Sequence, residues 1–141
     1  MTIQYYALYN VSSITRCAKG VSTLYEKKAT LRYVNRIRAA CGVTELDSLP
    51  SGTQRSSSDC VIARALCEAS QGVLVFQEGI YSDDLAFAKI IAEEFGYLHD
   101  CIGLDSSDDI KKYVVPIPKI MSAFVENFDE GLYPELVTSD R

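Results

Sequence analysis

Asp59-Cys60-Val61-Ile62-Ala63-Arg64-Ala65-Leu66-Cys67-Glu68-Ala69, then Ser70-Gln71-Gly72 and Val73-Leu74-Val75-Phe76, is the segment around which the rest of the chain must be arranged. With Ser58 or Asp59 as its cap, Cys60 to Ala69 reads as a short helix that is apolar on nearly every face, and such a helix has to be buried all round. Gly72 ends it. Val73 to Phe76 is a continuous apolar run of strand length, the pattern of an interior strand. A wrapped helix beside a short strand calls for further helices and a small sheet to cover both.

On the N-terminal side, Val43 to Asp59 holds Leu49-Pro50, Ser51-Gly52 and Ser56-Ser57-Ser58, turn and capping residues in place of a periodic apolar pattern, and reads as an exposed loop. Before it lies the clearest amphipathic helix. Ser22 is placed to cap it, it runs to about Cys41, and Gly42 supplies the left-handed residue that ends it. At about 100° per residue, Leu24, Leu31, Val34, Ile37 and Cys41 gather on one side as a core stripe. Tyr25, Lys28, Arg32 and Arg36 gather on the other as a basic stripe. Residues 3–9 are rich in aromatics and suit a first strand, with a helical turn fitting nearly as well.

On the C-terminal side, Ser82 with Asp83 and Asp84 opens a helix to Phe95, ended by Gly96, with Leu85, Ala88, Ile91, Ala92 and Phe95 toward the core. From Tyr97 to Asp109 the periodicity is lost and acids accumulate, giving a loop with room for a short strand. Tyr113 to Ile117 is extended, and Pro116 puts it at an edge or outside a sheet. Pro118 begins a last helix to about Glu130, with Ile120, Met121, Phe124, Val125 and Phe128 as its apolar face. Gly131 stops it, and Leu132 to Leu136 packs as a tail. The expectation is one α+β domain over residues 1–141, with about four helices, a small sheet and a central buried helix.

Composition agrees. The chain has 141 residues, 48% of them hydrophobic and 23% charged, in the range of an ordinary globular domain able to bury a core without metals or cross-links. No window approaches about eighteen consecutive apolar residues, and Met1 to Tyr6 lacks the basic and apolar regions of a secretory signal. A soluble cytoplasmic protein without a membrane partner is expected. Cys17, Cys41, Cys60, Cys67 and Cys101 are widely spaced and mostly in apolar surroundings, as free thiols in a reducing compartment are.

Charge is uneven along the chain. Residues 1–64 carry nine basic and four acidic side chains, a net +5, and the remainder carry five basic and fifteen acidic, a net −10. Such polarity can pair one half against the other, steer a partner, or favour self-association.

The basic stripe Tyr25, Lys28, Arg32, Arg36 is the sharpest functional candidate: cations at helical spacing beside a ring can follow an acidic protein surface or a phosphate backbone. The acidic whole favours a protein over nucleic acid. A DNA-reading helix-turn-helix is unsuited, because about seventeen residues separate the two helices where a turn of about three or four is needed. The runner-up is a small cysteine-dependent enzyme using Cys60, placed at a helix N-terminus that would lower its pKa, with His99, the chain's single histidine. Zinc on Cys60, Cys67, His99 and Cys101 ranks last, since the first two lie about 10 Å apart along a helix. The acidic clusters Asp83-Asp84, Glu93-Glu94 and Asp105 to Asp109 read as caps and solubilising charge, and no motif implies a cofactor.

Asn35, Ile37, Arg38, then Leu49-Pro50-x-Gly52, then Cys60-x-Ile62-Ala63-Arg64-Ala65-Leu66, and finally Phe124-x-x-x-Phe128-Asp129-x-Gly131-x-Tyr133-Pro134-x-Leu136 resemble a loose group of small uncharacterised proteins of actinobacteria and their phages. That group proline often follows the cysteine, where Val61 stands here. The resemblance implies no activity or catalytic residue; it implies an accessory protein acting by contact, with a cellular or phage protein as partner. Homo-oligomerisation through the apolar central helix stays open.

Overall fold

The computed structural model describes residues 19–107 and 110–138. Their elements are α1 (Lys19–Ala40), α2 (Val61–Leu66), β1 (Leu74–Phe76), β2 (Gly79–Ser82), α3 (Leu85–Phe95), β3 (Gly103–Ser107), β4 (Ile110–Pro116) and α4 (Lys119–Asp129), with single 3-10 turns at His99–Cys101 and Pro134–Leu136. Four helices and a four-stranded antiparallel sheet make a single small α+β domain. Residues 3–9 lie outside the described residues. Among the described residues, no helix is long and apolar enough to cross a membrane.

The segment that organises the chain is central, as expected: Val61, Ile62, Ala63, Ala65 and Leu66 are all buried. Its helix is shorter than predicted, ending at Leu66. Neither Ser58 nor Asp59 caps it. Cys60 occupies the N-cap without a side-chain bond, because Asp59 is turned to Arg64, the half-exposed residue of α2, with Nε and Nη2 at 2.8 and 2.9 Å. Gly52 explains how closely the preceding loop wraps this helix: a Cβ there would stand 2.4 Å from the Val61 nitrogen and 2.6 Å from the Cys60 carbonyl carbon. The same glycine pairs in parallel with Val137, its N–H donating to Leu136 O and its carbonyl accepting from Thr138 N, both at 2.8 Å, so the C-terminal tail is stitched down.

α1 is already under way at Lys19, so Ser22 lies within it and does not cap it. It stops where expected, at Gly42, whose φ is +77°. Its buried arc, however, is rotated from the predicted stripe. Val34 and Ile37 are fully buried, Leu31 and Cys41 only partly, and Leu24 is 51% exposed. Ala29, Thr30, Glu26 and Arg38 are buried instead. The physical reason is that α1 packs on α4, α3 and α2 together, so a broad arc is covered and polar residues fall within it.

The sheet order is β1-β2-β4-β3. Leu74 to Phe76, expected in the interior, is an edge strand of a hairpin whose turn is Gln77-Glu78. Its apolar run has a different cause: Val75 faces the core, while the Phe76 ring meets Tyr81 on the opposite face at 4.9 Å. The strand containing Pro116 is central, not at an edge, because the proline takes the last register position, opposite Gly79. Ser82 ends β2 and accepts from Asp84 N at 3.0 Å; Asp84 is the cap of α3, accepting from Phe87 N at 3.3 Å. Ala88, Ile91, Ala92 and Phe95 face the core as predicted, but Leu85 is 38% exposed and Phe87 takes its place.

α4 lays Met121, Phe124 and Phe128 into the core, each burial contributing about 1.5–3 kcal/mol. The tail packs on it as expected, with the Tyr133 ring 4.8 Å from that of Phe124.

Candidate functional site

The predicted basic stripe is exposed on α1. Tyr25 is 61% exposed, and Lys28 and Arg32 are exposed with no ion pair among the described residues. Arg36 differs: its Nε donates to Glu94 Oε1 of α3 at 3.3 Å, so part of its charge is already answered. Beside the cations runs a shallow groove of about 230 Å³, lined by Leu24, Lys27, Lys28, Leu31 and the loop residues Asp47 to Leu49. Leu24 thus belongs to the outward patch, although it was expected in the core, whereas Leu31 packs against the core and reaches the groove with its remaining surface. A signal was present: Lys27 and Lys28 stand between them at helical spacing, so that side of α1 is flanked by charge.

Two other cations of α1, Lys27 and Arg38, are structural. Lys27 Nζ reaches Glu135 at 2.8 Å and holds that carboxyl below the usual range. Arg38 is buried and engaged through all three nitrogens: Nε donates to Thr44 O at 2.8 Å, Nη1 to Ala65 O at 2.7 Å, and Nη2 pairs with Glu68 at 2.7 Å. Together with Arg36–Glu94 these pairs join the basic half of the chain to the acidic half, leaving Lys28 and Arg32 as unpaired cations of α1 among the described residues. Asn35 grips the loop, its amide donating to Leu46 O at 2.9 Å and accepting from Leu46 N at 2.7 Å.

The structure does not bring Cys60 and His99 together. His99 Nε2 lies 2.6 Å from Glu93 Oε2 on an exposed turn. Cys60 is buried, and burial, with Asp129 nearby, pushes its thiol above the ordinary range; the N–H groups of Ala63 and Ile62 pull the other way and are outweighed. The expectation of a helix-activated thiolate is therefore corrected: α2 is six residues long and Cys60 is desolvated. Cys67 is exposed, Cys41 and Cys101 are partly buried, and all four described cysteines are free. Among the described residues no group of three His, Cys, Asp or Glu is placed to hold a metal ion, so Cys60, Cys67, His99 and Cys101 do not converge on zinc.

A second concavity has no counterpart in the sequence pattern. A cleft of about 360 Å³ opens between the loop Arg55 to Ser57, the start of α2, the β1–β2 turn and the C-terminal half of α4. Its apolar side is Val61, Ile62, Phe124 and Phe128, with Cys60 among them, and its charged residues are Arg55, Glu78 and Asp129. Arg55 is the one non-glycine with positive φ among the described residues, at 56°, a conformation costing on the order of 1–2 kcal/mol. The loop is held there by α4: Arg55 N donates to Asp129 Oδ1 at 2.8 Å and Gln54 Nε2 to Phe128 O at 3.0 Å.

Compared with protein-family models, with curated proteins and with solved structures, the chain gives no significant match. The functional reading rests on its own side chains.

Proposed function

We propose that this protein is an interaction module that binds an acidic partner protein through the outward face of α1, an accessory role of the kind suggested by its loose resemblance to small uncharacterised proteins of actinobacteria and their phages. The observation that carries this is the grouping of Leu24 and Tyr25, 51% and 61% exposed, with Lys28 and Arg32, which make no ion pair among the described residues. Apolar side chains ringed by uncompensated charge are the chemistry of a protein contact: the tyrosine and leucine supply buried area, and the cations supply orientation and association rate. Arg36, tied to Glu94, stands at the end of that face and contributes the rest of its positive field.

Nucleic acid fits less well. Lys28 and Arg32 would neutralise about two phosphates from the α1 face of a chain whose net charge is −5, far from the salt-dependent grip of a dedicated binder.

The test is capture from an extract of the source cells by the immobilised full chain and by its Lys28→Glu/Arg32→Glu variant, with retained proteins identified by mass spectrometry. An acidic protein held by the wild type, lost from the variant and released by salt supports the reading. Identical sets retained by both forms remove the α1 face from the account, and loss of capture after nuclease treatment transfers it to nucleic acid.

A further inference from the structure

We infer that the cleft between α2, α4 and the β1–β2 turn is a binding site for a small zwitterion with a large apolar side chain, of the kind represented by a free aromatic or branched amino acid. The space of about 360 Å³ is at the lower end of the range for small-molecule sites, and it is framed by four separate segments of chain. Its walls are fixed. Gln54 and Arg55 bind the end of α4, and Gln77 Nε2 donates to Glu126 Oε1 at 3.0 Å, bridging the hairpin turn to the same helix.

The charges facing this space have both signs. Arg55 contributes a guanidinium that makes no ion pair among the described residues. Glu78 and Asp129 contribute carboxylates, each with one oxygen engaged: Glu78 Oε2 accepts from Tyr81 Oη at 3.1 Å, and Asp129 Oδ1 from Arg55 N. A ligand with only a carboxylate meets two carboxylates for one guanidinium. A ligand with only an ammonium leaves that guanidinium unanswered. A zwitterion answers both, and an apolar side chain lies against Phe76 and Val125, the lining residues with exposed apolar surface, over a floor of buried Ile62, Phe124 and Phe128. Cys60, a desolvated neutral thiol, belongs to the apolar surface and takes no covalent part. The backbone strain at Arg55 is consistent with this role, since it sets the cation at the cleft.

The experiment is an amide NMR titration of the full chain with L-phenylalanine, L-leucine, phenylacetate and phenethylamine, alongside iodoacetamide labelling read at Cys60 and at exposed Cys67. Saturable shifts at Arg55 to Ile62 and at Gln77 and Glu78 with the two amino acids, and slowed labelling of Cys60 but not Cys67, are expected. Phenylacetate, phenethylamine, Arg55→Gly and Glu78→Gln should each weaken binding about tenfold, the loss of one charge-assisted contact. Arg55→Gly relieves the positive φ, so its folding is not in question. No saturable shift with either amino acid, or equal binding of all four compounds, overturns the proposal.

Discussion

Tyr133 Oη donates a 2.6 Å hydrogen bond to Glu26 Oε1, joining the C-terminal tail to the first described helix across most of the chain. Both residues are buried, and the carboxyl group also accepts from Asn127 Nδ2 at 2.9 and 3.1 Å, so among the described residues it is held by neutral donors. The same hydroxyl lies 3.0 Å from Thr23 O, so its one proton is shared between the carboxylate and a backbone carbonyl. Tyr133→Phe removes the shortest of these donors and is expected to cost about 1.5–3 kcal/mol in urea unfolding. Glu26→Gln, which keeps the shape and discharges the site, should cost less. Equal stability of Tyr133→Phe and wild type would show that the network contributes nothing net.

The same bond sets an alkaline limit. Burial and the Glu26 carboxylate hold the Tyr133 phenol far above its ordinary value, so the native state keeps a proton that the unfolded chain releases near pH 10. Native protein then binds more protons than unfolded, and stability falls as pH rises past about 10. The stability difference between wild type and Tyr133→Phe should shrink over that range, read as melting temperature against pH.

Asp59 behaves oppositely. Hydrogen bonds from Arg64 and Thr53 lower its carboxyl to about 2, against an unfolded value near 3.9. Its contribution is complete above the unfolded value and is lost as pH falls toward 2. Asp59→Asn should remove that part of the acid limb while leaving the alkaline limb unchanged. Because the carboxylate is half-exposed, the effect should diminish in high salt.

What could be read from the sequence was whatever is decided locally. Gly42, Gly96 and Gly131 end their helices with φ of +77°, +84° and +90°, and each was recognisable because the left-handed residue sits at the end of its own periodic segment. The burial of α2 was readable because its composition leaves no polar face. The β1–β2 hairpin was not, since Gln77-Glu78 carries none of the usual turn residues and its strands are only three and four residues long. Nor could apolar periodicity show that Glu26 and Arg38 are buried: their partners, Tyr133 and Ala65 O, come from distant segments. The exposure of Tyr25, Lys28 and Arg32 followed from one helix, whereas the cleft needed four segments to meet, and Arg36 needed Glu94.

Arg38 and Arg32 are six residues apart on α1 and should respond very differently to loss of charge. Arg38→Met leaves Thr44 O and Ala65 O without their donors in a buried setting and should destabilise the fold by about 2–4 kcal/mol. Arg32→Met should change stability by no more than about 0.5 kcal/mol while weakening capture of the partner. The pair separates folding from contact, and a large stability loss at Arg32 would mean that the α1 face is structural. Asn35, Arg38, Gly52 and Arg64 all make contacts within the fold, so the outward face of α1 is tested separately from them.

Thiol reactivity gives the final prediction. Cys67 is exposed and follows the end of α2, whereas Cys60 is buried and its thiol is raised by that burial. Alkylation depends on both access and the thiolate fraction, and both fall at Cys60. At pH 6 to 7, peptide-level mass spectrometry should find Cys67 labelled well before Cys60, with the Cys60 rate below that of a free thiol. His99→Ala should leave the Cys60 rate unchanged, because His99 is occupied by Glu93 and does not line the cleft where Cys60 lies. A Cys60 that reacts faster than Cys67 at pH 6, and slows when His99 is removed, would instead establish an activated cysteine and return the cysteine-dependent reading to first place.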